Sequence, residues 1–211
     1  MLLIFYYYLY LFSSWSTYRF LTHFTEPVDE LVVKPLIWLL PVLFLVVIKE
    51  KRSISTSLGL DFSRLRSDSL FGCTVALGLY IIVLISRFVK YHSFIVNPHD
   101  LSYQSLFVIL FVSLATAIIE EVTFRGFILT RLTRAMHSKL GANILTTVLF
   151  LLIHLPVYAF NQILNIGEIT QLLALSGIIS FINGYLFYGR KGIVAPIFSH
   201  ASWNFIAVLL R

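Results

Sequence analysis

The sequence predicts an all-α integral membrane protein, a polytopic bundle of about seven transmembrane helices in one domain, 1–211. Of the 211 residues, 58% are hydrophobic and only 12% are charged. Soluble domains carry about 45–50% apolar and about 25% charged residues. The mean hydropathy of +0.88 points the same way. Since a helix crosses the hydrocarbon core with about 20 residues, the long apolar stretches of the chain predict membrane spans.

The predicted spans follow one another without an internal repeat. The first is aromatic and polar for a span, so its tyrosines and Trp15 could equally form an interfacial belt. It starts at Met1 with neither a basic region nor a convincing small-residue cleavage site, so we expect a retained helix rather than a signal peptide. The spans run approximately over 2–21, 31–48, 70–89, 104–123, 142–160, 171–188 and 193–210.

Basic residues orient the predicted bundle. The longest polar stretch, 49–69, predicts a cytoplasmic loop with a short surface helix. This loop and two later loops on the same side hold ten of the 16 Lys and Arg residues, and cytoplasmic loops are enriched in these residues. With seven spans, the N-terminus is cytoplasmic and the C-terminus is outside. The ten are Lys49, Lys51, Arg52, Arg64, Arg66, Arg131, Arg134, Lys139, Arg190 and Lys191, and the opposite loops hold Arg19, Lys34, Arg87 and Lys90.

The net charge of +6 does not indicate nucleic acid as a partner, because the basic residues flank apolar segments instead of forming a patch. Cys73 is the only cysteine, which excludes an intrachain disulfide and an all-Cys metal site. Small residues in the sixth span are assigned to close helix packing; they are Ser176, Gly177, Ser180 and Gly184. No role is assigned to four histidines near span ends or in loops, which are His23, His92, His99 and His137.

Glu120 and Glu121 stand side by side after an uncharged run, LFVILFVSLATAII. A carboxylate at mid-bilayer depth costs roughly 2.5–3.5 kcal/mol on insertion scales, so two adjacent ones need compensation. Arg125 lies four residues after Glu121, on the same helical face. This pair alone could be a structural ion pair. The pattern Glu-Glu-x-x-x-Arg nevertheless favours chemistry inside a membrane.

Three further polar side chains lie deep in the C-terminal spans. His154 is in the fifth span, and Phe150 precedes it by four residues and can hold its ring. His200 and Asn204 lie a turn apart on one face of the seventh span. Each of the three alone could be an interhelical hydrogen-bonding residue. Together with the two glutamates they come from three helices, and in lipid such groups must face one another or a water cavity.

Three segments carry a family resemblance. They are E-E-V-T-F-R-G at 120–126, F-L-L-I-H at 150–154 and H-A-S-W-N at 200–204. They resemble the motifs of the CAAX protease and bacteriocin-processing family of membrane peptidases, also called Abi proteins, which includes the eukaryotic CAAX prenyl endopeptidase. The resemblance covers about 104–210, without a departure at a motif position. Residues 1–103 share only the hydrophobic character of the family.

The resemblance implies an intramembrane endopeptidase with its catalytic cavity in the C-terminal half. Its substrate would be a membrane-associated peptide or protein in the lipid bilayer. A prenylated substrate is expected only in a eukaryotic host. We expect the active site to face the cytoplasmic side, with its polar groups lining one water-accessible cavity.

Peptide hydrolysis needs an activated water and a stabilised oxyanion. Glu121 is aligned with Arg125, so its charge is committed to that pair. Glu120 points about 100° around the helix and is freer to act as the base. We assign Glu120, with His154, to the water. His200 and Asn204 then offer hydrogen-bond donors to the oxyanion, a division that matches what the resemblance implies.

Three alternatives stay open at this stage. Two histidines and a glutamate also form many catalytic zinc sites, which would make Glu120, His154 and His200 ligands. Because no His-Glu-x-x-His pair is present and the three come from three helices, the sequence favours a mechanism without metal or cofactor. A bacteriocin-immunity or interaction protein on the same fold is a non-enzymatic alternative. A transporter with a proton-relay carboxylate is disfavoured by the lack of inverted repeats.

Overall fold

The computed structural model describes residues 1–22, 24–92, 103–159 and 165–209, and these residues form helices and no strands. The predicted all-α class is therefore confirmed. Parts of two predicted connections, 90–103 and 161–170, lie outside the described residues, as do His23 and His99, to which no role is assigned. The helices are α1 (Leu2–Leu21), α2 (Glu26–Lys49), α3 (Ile54–Leu58), α4 (Leu65–Tyr91), α5 (103–136), α6 (Lys139–Ala159), α7 (Ile166–Arg190) and α8 (Val194–Leu209).

Five of the described helices are long and apolar enough to cross a membrane, namely α2, α4, α5, α6 and α7. The described part of α8 has 16 residues, and α1 is rich in tyrosine and serine. Neither is among the five, so the predicted count of seven spans is not confirmed. The fourth predicted span, 104–123, continues without a break to Met136, because the basic segment after Arg125 remains helical.

Helix α1 packs along the bundle, antiparallel to α2. Near its start, the Tyr7 hydroxyl donates to the carbonyl of Trp38 over 2.9 Å. Near its end, Arg19 Nη1 forms an ion pair with Asp29 Oδ2 at 2.7 Å. The buried side chains recur every three or four residues, as expected for one face of an α-helix; they are Ile4, Tyr7, Leu11 and Trp15.

Helices α2 and α5 contain wide π-helical turns, in which each N–H bonds to the carbonyl five residues earlier. In α2 these turns include Asp29–Val33 and Pro35–Leu39. In α5 the π-helical stretch is Val122–Leu129, and it begins directly after Glu121. All eight of its residues are buried. Wide turns of this kind occur frequently at functional sites.

The predicted cytoplasmic loops meet at one end of the bundle, as the charge pattern indicates. Arg131 Nε donates to Glu50 Oε1 over 3.1 Å, and Arg190 Nε donates to Asp68 Oδ1 over 2.7 Å. The short helix predicted in this loop is α3. This helix does not lie entirely at the surface, since the Leu58 side chain is fully buried. Which membrane face this end occupies stays a prediction.

Close backbone approaches explain two glycines in the C-terminal half. A Cβ added to Gly126 would lie 2.9 Å from the carbonyl oxygen of Leu58, so α3 can dock on α5 only where a side chain is absent. A Cβ at Gly184 would lie 1.7 Å from Asn143 Oδ1. The predicted packing role of Gly184 in helix α7 is therefore confirmed.

Candidate active site

Glu120 lies midway along α5, 17 residues after the start at Tyr103 and 16 before the end at Met136, and Glu121 follows it directly. Both are buried: Glu120 is 3% exposed and Glu121 is 0% exposed. A buried carboxylate loses its hydration and is tolerated only with charged or hydrogen-bonding partners. The partners of the two side chains come from different parts of the chain.

Glu121 is held by the C-terminal half. Its Oε1 accepts hydrogen bonds from Arg125 Nη1 at 2.9 Å, from Asn183 Nδ2 at 3.0 Å and from the His200 ring at 2.8 Å. The predicted ion pair between Glu121 and Arg125 is confirmed. Arg125 is itself fully buried, and its Nη2 donates to the carbonyl of Ser180 at 2.6 Å and to the Ser180 hydroxyl at 2.8 Å.

Two residues of this cluster were missed by the sequence reasoning. The sequence pattern predicts only a packing role for Ser180 and no role for Asn183. A usable signal existed, since Ser180 and Asn183 are polar residues three apart on one face of an apolar span. Asn183 Nδ2 also lies 3.3 Å from the carbonyl of Pro196, so it joins α7 and α8 to the buried carboxylate.

Glu120 is held from the N-terminal half. Its Oε1 lies 2.6 Å from Lys34 Nζ, and its Oε2 lies 3.6 Å from His200 Nε2. Lys34 was placed in an outer loop by the sequence reasoning, and that was wrong. It is a buried residue of α2, because its ammonium meets Glu120 and also Glu30 Oε2, at 2.6 Å. Each glutamate therefore has one oxygen outside its short contacts, Oε2 in both cases, and that of Glu121 is buried without a hydrogen-bond partner among the described residues. That Glu120 is the freer glutamate stays a prediction.

His200 lies between the two glutamates. Because a carboxylate accepts and does not donate, the 2.8 Å contact with Glu121 puts a proton on His200 Nδ1. In the neutral ring, Nε2 is then an acceptor. His200 can donate a hydrogen bond to an oxyanion only when the ring carries both protons, and Glu120 Oε2 is the carboxylate oxygen that faces Nε2.

His154 is fixed by its own helix. Its Nδ1 lies 2.7 Å from the carbonyl of Phe150, which can only accept, so Nδ1 carries the proton and Nε2 of the neutral ring is free to accept. The Phe150 ring centroid lies 4.6 Å from the His154 ring and 6.0 Å from the His200 ring. The predicted packing of Phe150 against His154 is confirmed.

Asn204 follows His200 by one turn and is partly exposed. No hydrogen bond joins its amide to another residue of the described segments. A small cavity of about 70 Å³ lies near the start of α2, between Glu26, Val112 and Val208. This is the end of α2 opposite Lys49. A single cavity lined by Glu120, His154, His200 and Asn204 and open to the cytoplasm stays a prediction.

The zinc alternative depends on the same contacts. Within the described segments, no three His, Cys, Asp or Glu side chains are grouped so that they could hold a metal ion. The ammonium of Lys34 on Glu120 also opposes a second cation nearby. However, both imidazoles use Nδ1 in a hydrogen bond and keep Nε2 available, as zinc-binding histidines also do. The predicted absence of a cofactor stays a prediction.

A known family matches the half of the chain that carries the three motif segments. A model described as type II CAAX prenyl endopeptidase Rce1-like matches residues 102–206. Through this segment the chain belongs to the CAAX protease family. All three motif segments fall inside the match, whereas Glu30 and Lys34 fall outside it. No curated protein and no solved structure matches the sequence.

Membership in this family and the five apolar helices make the chain an integral membrane protein. The family is one of membrane proteases, so the match supports a peptidase whose substrate is a protein or peptide in the membrane. The roles of the individual site residues stay predictions.

Proposed function

We propose that this protein is an intramembrane endopeptidase that cleaves a membrane-associated peptide or protein with a water activated by Glu120 and His154. One observation carries the proposal: a buried glutamate of the first family motif keeps one carboxylate oxygen turned toward the histidine of the third. The adjacent glutamate accepts hydrogen bonds from Arg125, Asn183 and His200 on its Oε1, and its Oε2 is buried without a hydrogen-bond partner among the described residues. The two neighbours therefore divide into a chemical and a structural carboxylate.

The proposed reaction begins with a water molecule at Glu120 Oε2 and His154 Nε2. Glu120 takes a proton from this water as the new C–O bond forms to the scissile carbonyl carbon. The carbonyl oxygen becomes an oxyanion, which accepts hydrogen bonds from His200 Nε2–H and from the Asn204 amide. The C–N bond then breaks, and the proton held by Glu120 passes to the leaving amine. The products are a carboxylic acid and an amine, the acid then loses its proton to become a carboxylate, and no acyl-enzyme forms.

The favoured form of this mechanism uses no metal. Its zinc-dependent counterpart is the second candidate, because the free Nε2 atoms of His154 and His200 have the hydrogen-bonding surroundings of metal ligands. In that case Glu120, His154 and His200 would be ligands, and His200 would not donate to the oxyanion. We further propose that the site takes its substrate from the cytoplasmic side, in keeping with the charge distribution of the loops.

The central experiment compares the wild type with Glu120→Gln in native membranes. The glutamine keeps a carbonyl oxygen for Lys34 and removes the base. Mass spectrometry should find peptides that appear with the wild type and not with the variant, while both proteins accumulate equally. Loss of a general base lowers activity by roughly 10²–10⁴-fold. An unchanged peptide profile at equal expression contradicts the proposal and favours a binding or immunity protein.

Two further measurements separate the chemical alternatives. Cleavage in H₂¹⁸O by the purified protein should place one labelled oxygen in the new carboxylate, with no trapped acyl-enzyme. EDTA or phenanthroline should inhibit little if Glu120 and His154 alone activate the water. Silencing of the purified protein by thorough metal removal, followed by recovery with zinc, would establish the zinc-dependent mechanism instead.

A further inference from the structure

We propose that Lys34, in the half of the chain outside the family match, is a positioning residue of the peptidase site. In this proposal its ammonium keeps Glu120 ionised and holds one carboxylate oxygen, so that the other oxygen faces His200 and the substrate water. This inference rests on the proposed function.

The contact between Lys34 and Glu120 is close and enclosed. Lys34 Nζ lies 2.6 Å from Glu120 Oε1, with the two side chains 5% and 4% exposed. The ammonium also lies 5.0 Å from the Trp38 ring centroid and 5.7 Å from that of Trp15. Aromatic faces attract cations and keep water away from them. Lys34 is therefore a fixed charge rather than a mobile surface lysine.

Among its described residues, helix α5 supplies a close cation to Glu121 and not to Glu120. Glu121 has Arg125 on its own helix, at 2.9 Å, whereas Glu120 has no basic partner on α5 within hydrogen-bonding distance among the described residues. A carboxylate without a cation in a low-dielectric site is strongly disfavoured in its ionised form. Lys34 is the ammonium that meets this need.

Two i,i+4 pairs fix the position of the ammonium. On α2, Glu30 Oε2 lies 2.6 Å from Lys34 Nζ, and on α5, Thr116 lies one turn before Glu120. The Thr116 hydroxyl donates to Glu30 Oε2 over 2.7 Å. The four side chains thus form two bonds between the helices, one at each end of the Glu30–Lys34 pair. This arrangement orients the Glu120 carboxylate as well as neutralising it.

A purely structural cross-link would make the same contacts, so the test must detect an effect on the chemistry. The decisive measurement is the pH profile of kcat/KM, because the charge beside a general base sets the pH at which that base becomes active. The charged and titratable groups around Glu120 are Lys34 and Glu30 from α2, Glu121 and Arg125 from α5, His154 from α6 and His200 from α8.

The variants are Lys34→Met, which keeps length without charge, and Lys34→Arg, which keeps the charge. In purified full-length protein we expect Lys34→Met to lose roughly 10- to 100-fold in activity, the usual range for residues that orient a reacting group. The acid limb of the pH profile of its kcat/KM should move to higher pH, because Glu120 has lost its nearest cation. Lys34→Arg should restore the wild-type limb. The matched control is Arg19→Met, which breaks another α2 ion pair and should leave the limb in place.

A double-mutant cycle of melting temperatures tests the coupling between Lys34 and Glu120 without an activity assay. Lys34→Met should lower the melting temperature in the wild-type background, and much less in Glu120→Gln, where no unpaired carboxylate remains. If Lys34→Met does not accumulate, Lys34→Gln replaces it in both measurements. An unshifted acid limb in an active Lys34→Met protein, or additive melting shifts, would overturn the inference while the proposed function stands. An inactive wild type would instead overturn the proposed function, and this inference with it.

Discussion

The surroundings of two neighbouring carboxylates differ more than their adjacent positions in the sequence suggest. Glu121 accepts three hydrogen bonds on one oxygen, and all three donors belong to the segment matched by the CAAX protease family. The ammonium that contacts Glu120 comes from α2, outside the match. The difference separates a carboxylate that joins three helices of the matched segment from one that joins this segment to the N-terminal half.

The largest effect that can test this comparison is the loss of Arg125. Arg125→Ala leaves the fully buried Glu121 without its cation, which costs roughly 3–5 kcal/mol when one partner of a buried pair is removed. Glu120→Ala leaves Lys34 with Glu30 as its partner and should cost less. Thermal unfolding in detergent and the yield of folded protein measure both variants. Equal yields and equal melting temperatures would contradict the division between the two glutamates.

The amide of Asn183 offers a second way to test the Glu121 cluster. Asn183→Leu removes one of the three donors to the buried Glu121 Oε1 and the donor to the Pro196 carbonyl, for which we expect a loss of about 1–3 kcal/mol in the free energy of unfolding. Thr116→Val, its counterpart in the Glu120 cluster, removes one bond to the partly exposed Glu30 and should cost less. Chemical denaturation of the two variants compares them. A larger loss for Thr116→Val would reverse the predicted order.

A steric prediction concerns the turn beside Arg125. In Gly126→Ala, the new methyl group would lie 2.9 Å from the carbonyl oxygen of Leu58, and overpacking of this kind costs typically 1–3 kcal/mol. The control is Gly78→Ala, where the added Cβ meets nothing within 4 Å. Since alanine is the better helix former, this control should be neutral or stabilising. Equal melting temperatures for the two variants would show that α3 does not dock closely on α5.

The ion pair of Glu50, which directly follows the end of α2, with Arg131 should show the smallest effect. Burial raises the pKa of Glu50, but the hydrogen bonds and charge of Arg131 outweigh burial, so the pKa lies below its ordinary value of 4.5. The stabilisation is therefore complete above that ordinary value and is lost as the pH falls through the lower folded value. Glu50→Gln should cost at most about 1 kcal/mol at neutral pH, and its melting temperature should fall less on acidification. Identical acid dependence in both proteins would contradict this.

Contacts that repeat along one helix could be predicted from the sequence. The i,i+4 spacing gave the Glu121–Arg125 pair and the packing of Phe150 on His154, because residues one turn apart meet on any α-helix. The gathering of basic loops at one end followed from the alternation of spans. The first inference depends on the local geometry of a helix, and the second depends on the thickness of the bilayer. Neither requires knowledge of contacts between distant residues.

Contacts between distant helices could not be predicted in this way. Lys34 looks like a charge that flanks a span, and the residue that pairs with it is 86 positions away. Only the rotation of α2 about its axis turns Lys34 inward, and packing against α1 and α5 sets that rotation. For Asn183, the spacing from Ser180 indicates a polar face of α7, but the partner of that face on α5 could not be predicted for the same reason. The π-helical turns also leave no clear sign in the hydropathy pattern, although they set the direction of the side chains around Arg125.

The i,i+4 pairing of Glu30 with Lys34 also bears on how the protein enters its membrane. At a synthesis rate of 5–20 residues per second, the 86 positions that separate Lys34 from Glu120 correspond to a delay of roughly 4–17 s. During that interval Lys34 has no access to Glu120, yet it already has a carboxylate one turn away on its own helix. The Glu30–Lys34 pair can therefore enter the bilayer without net charge, and α5 brings Glu121 and Arg125 as another such pair. Glu120 then meets the Lys34 ammonium when the two helices pack together.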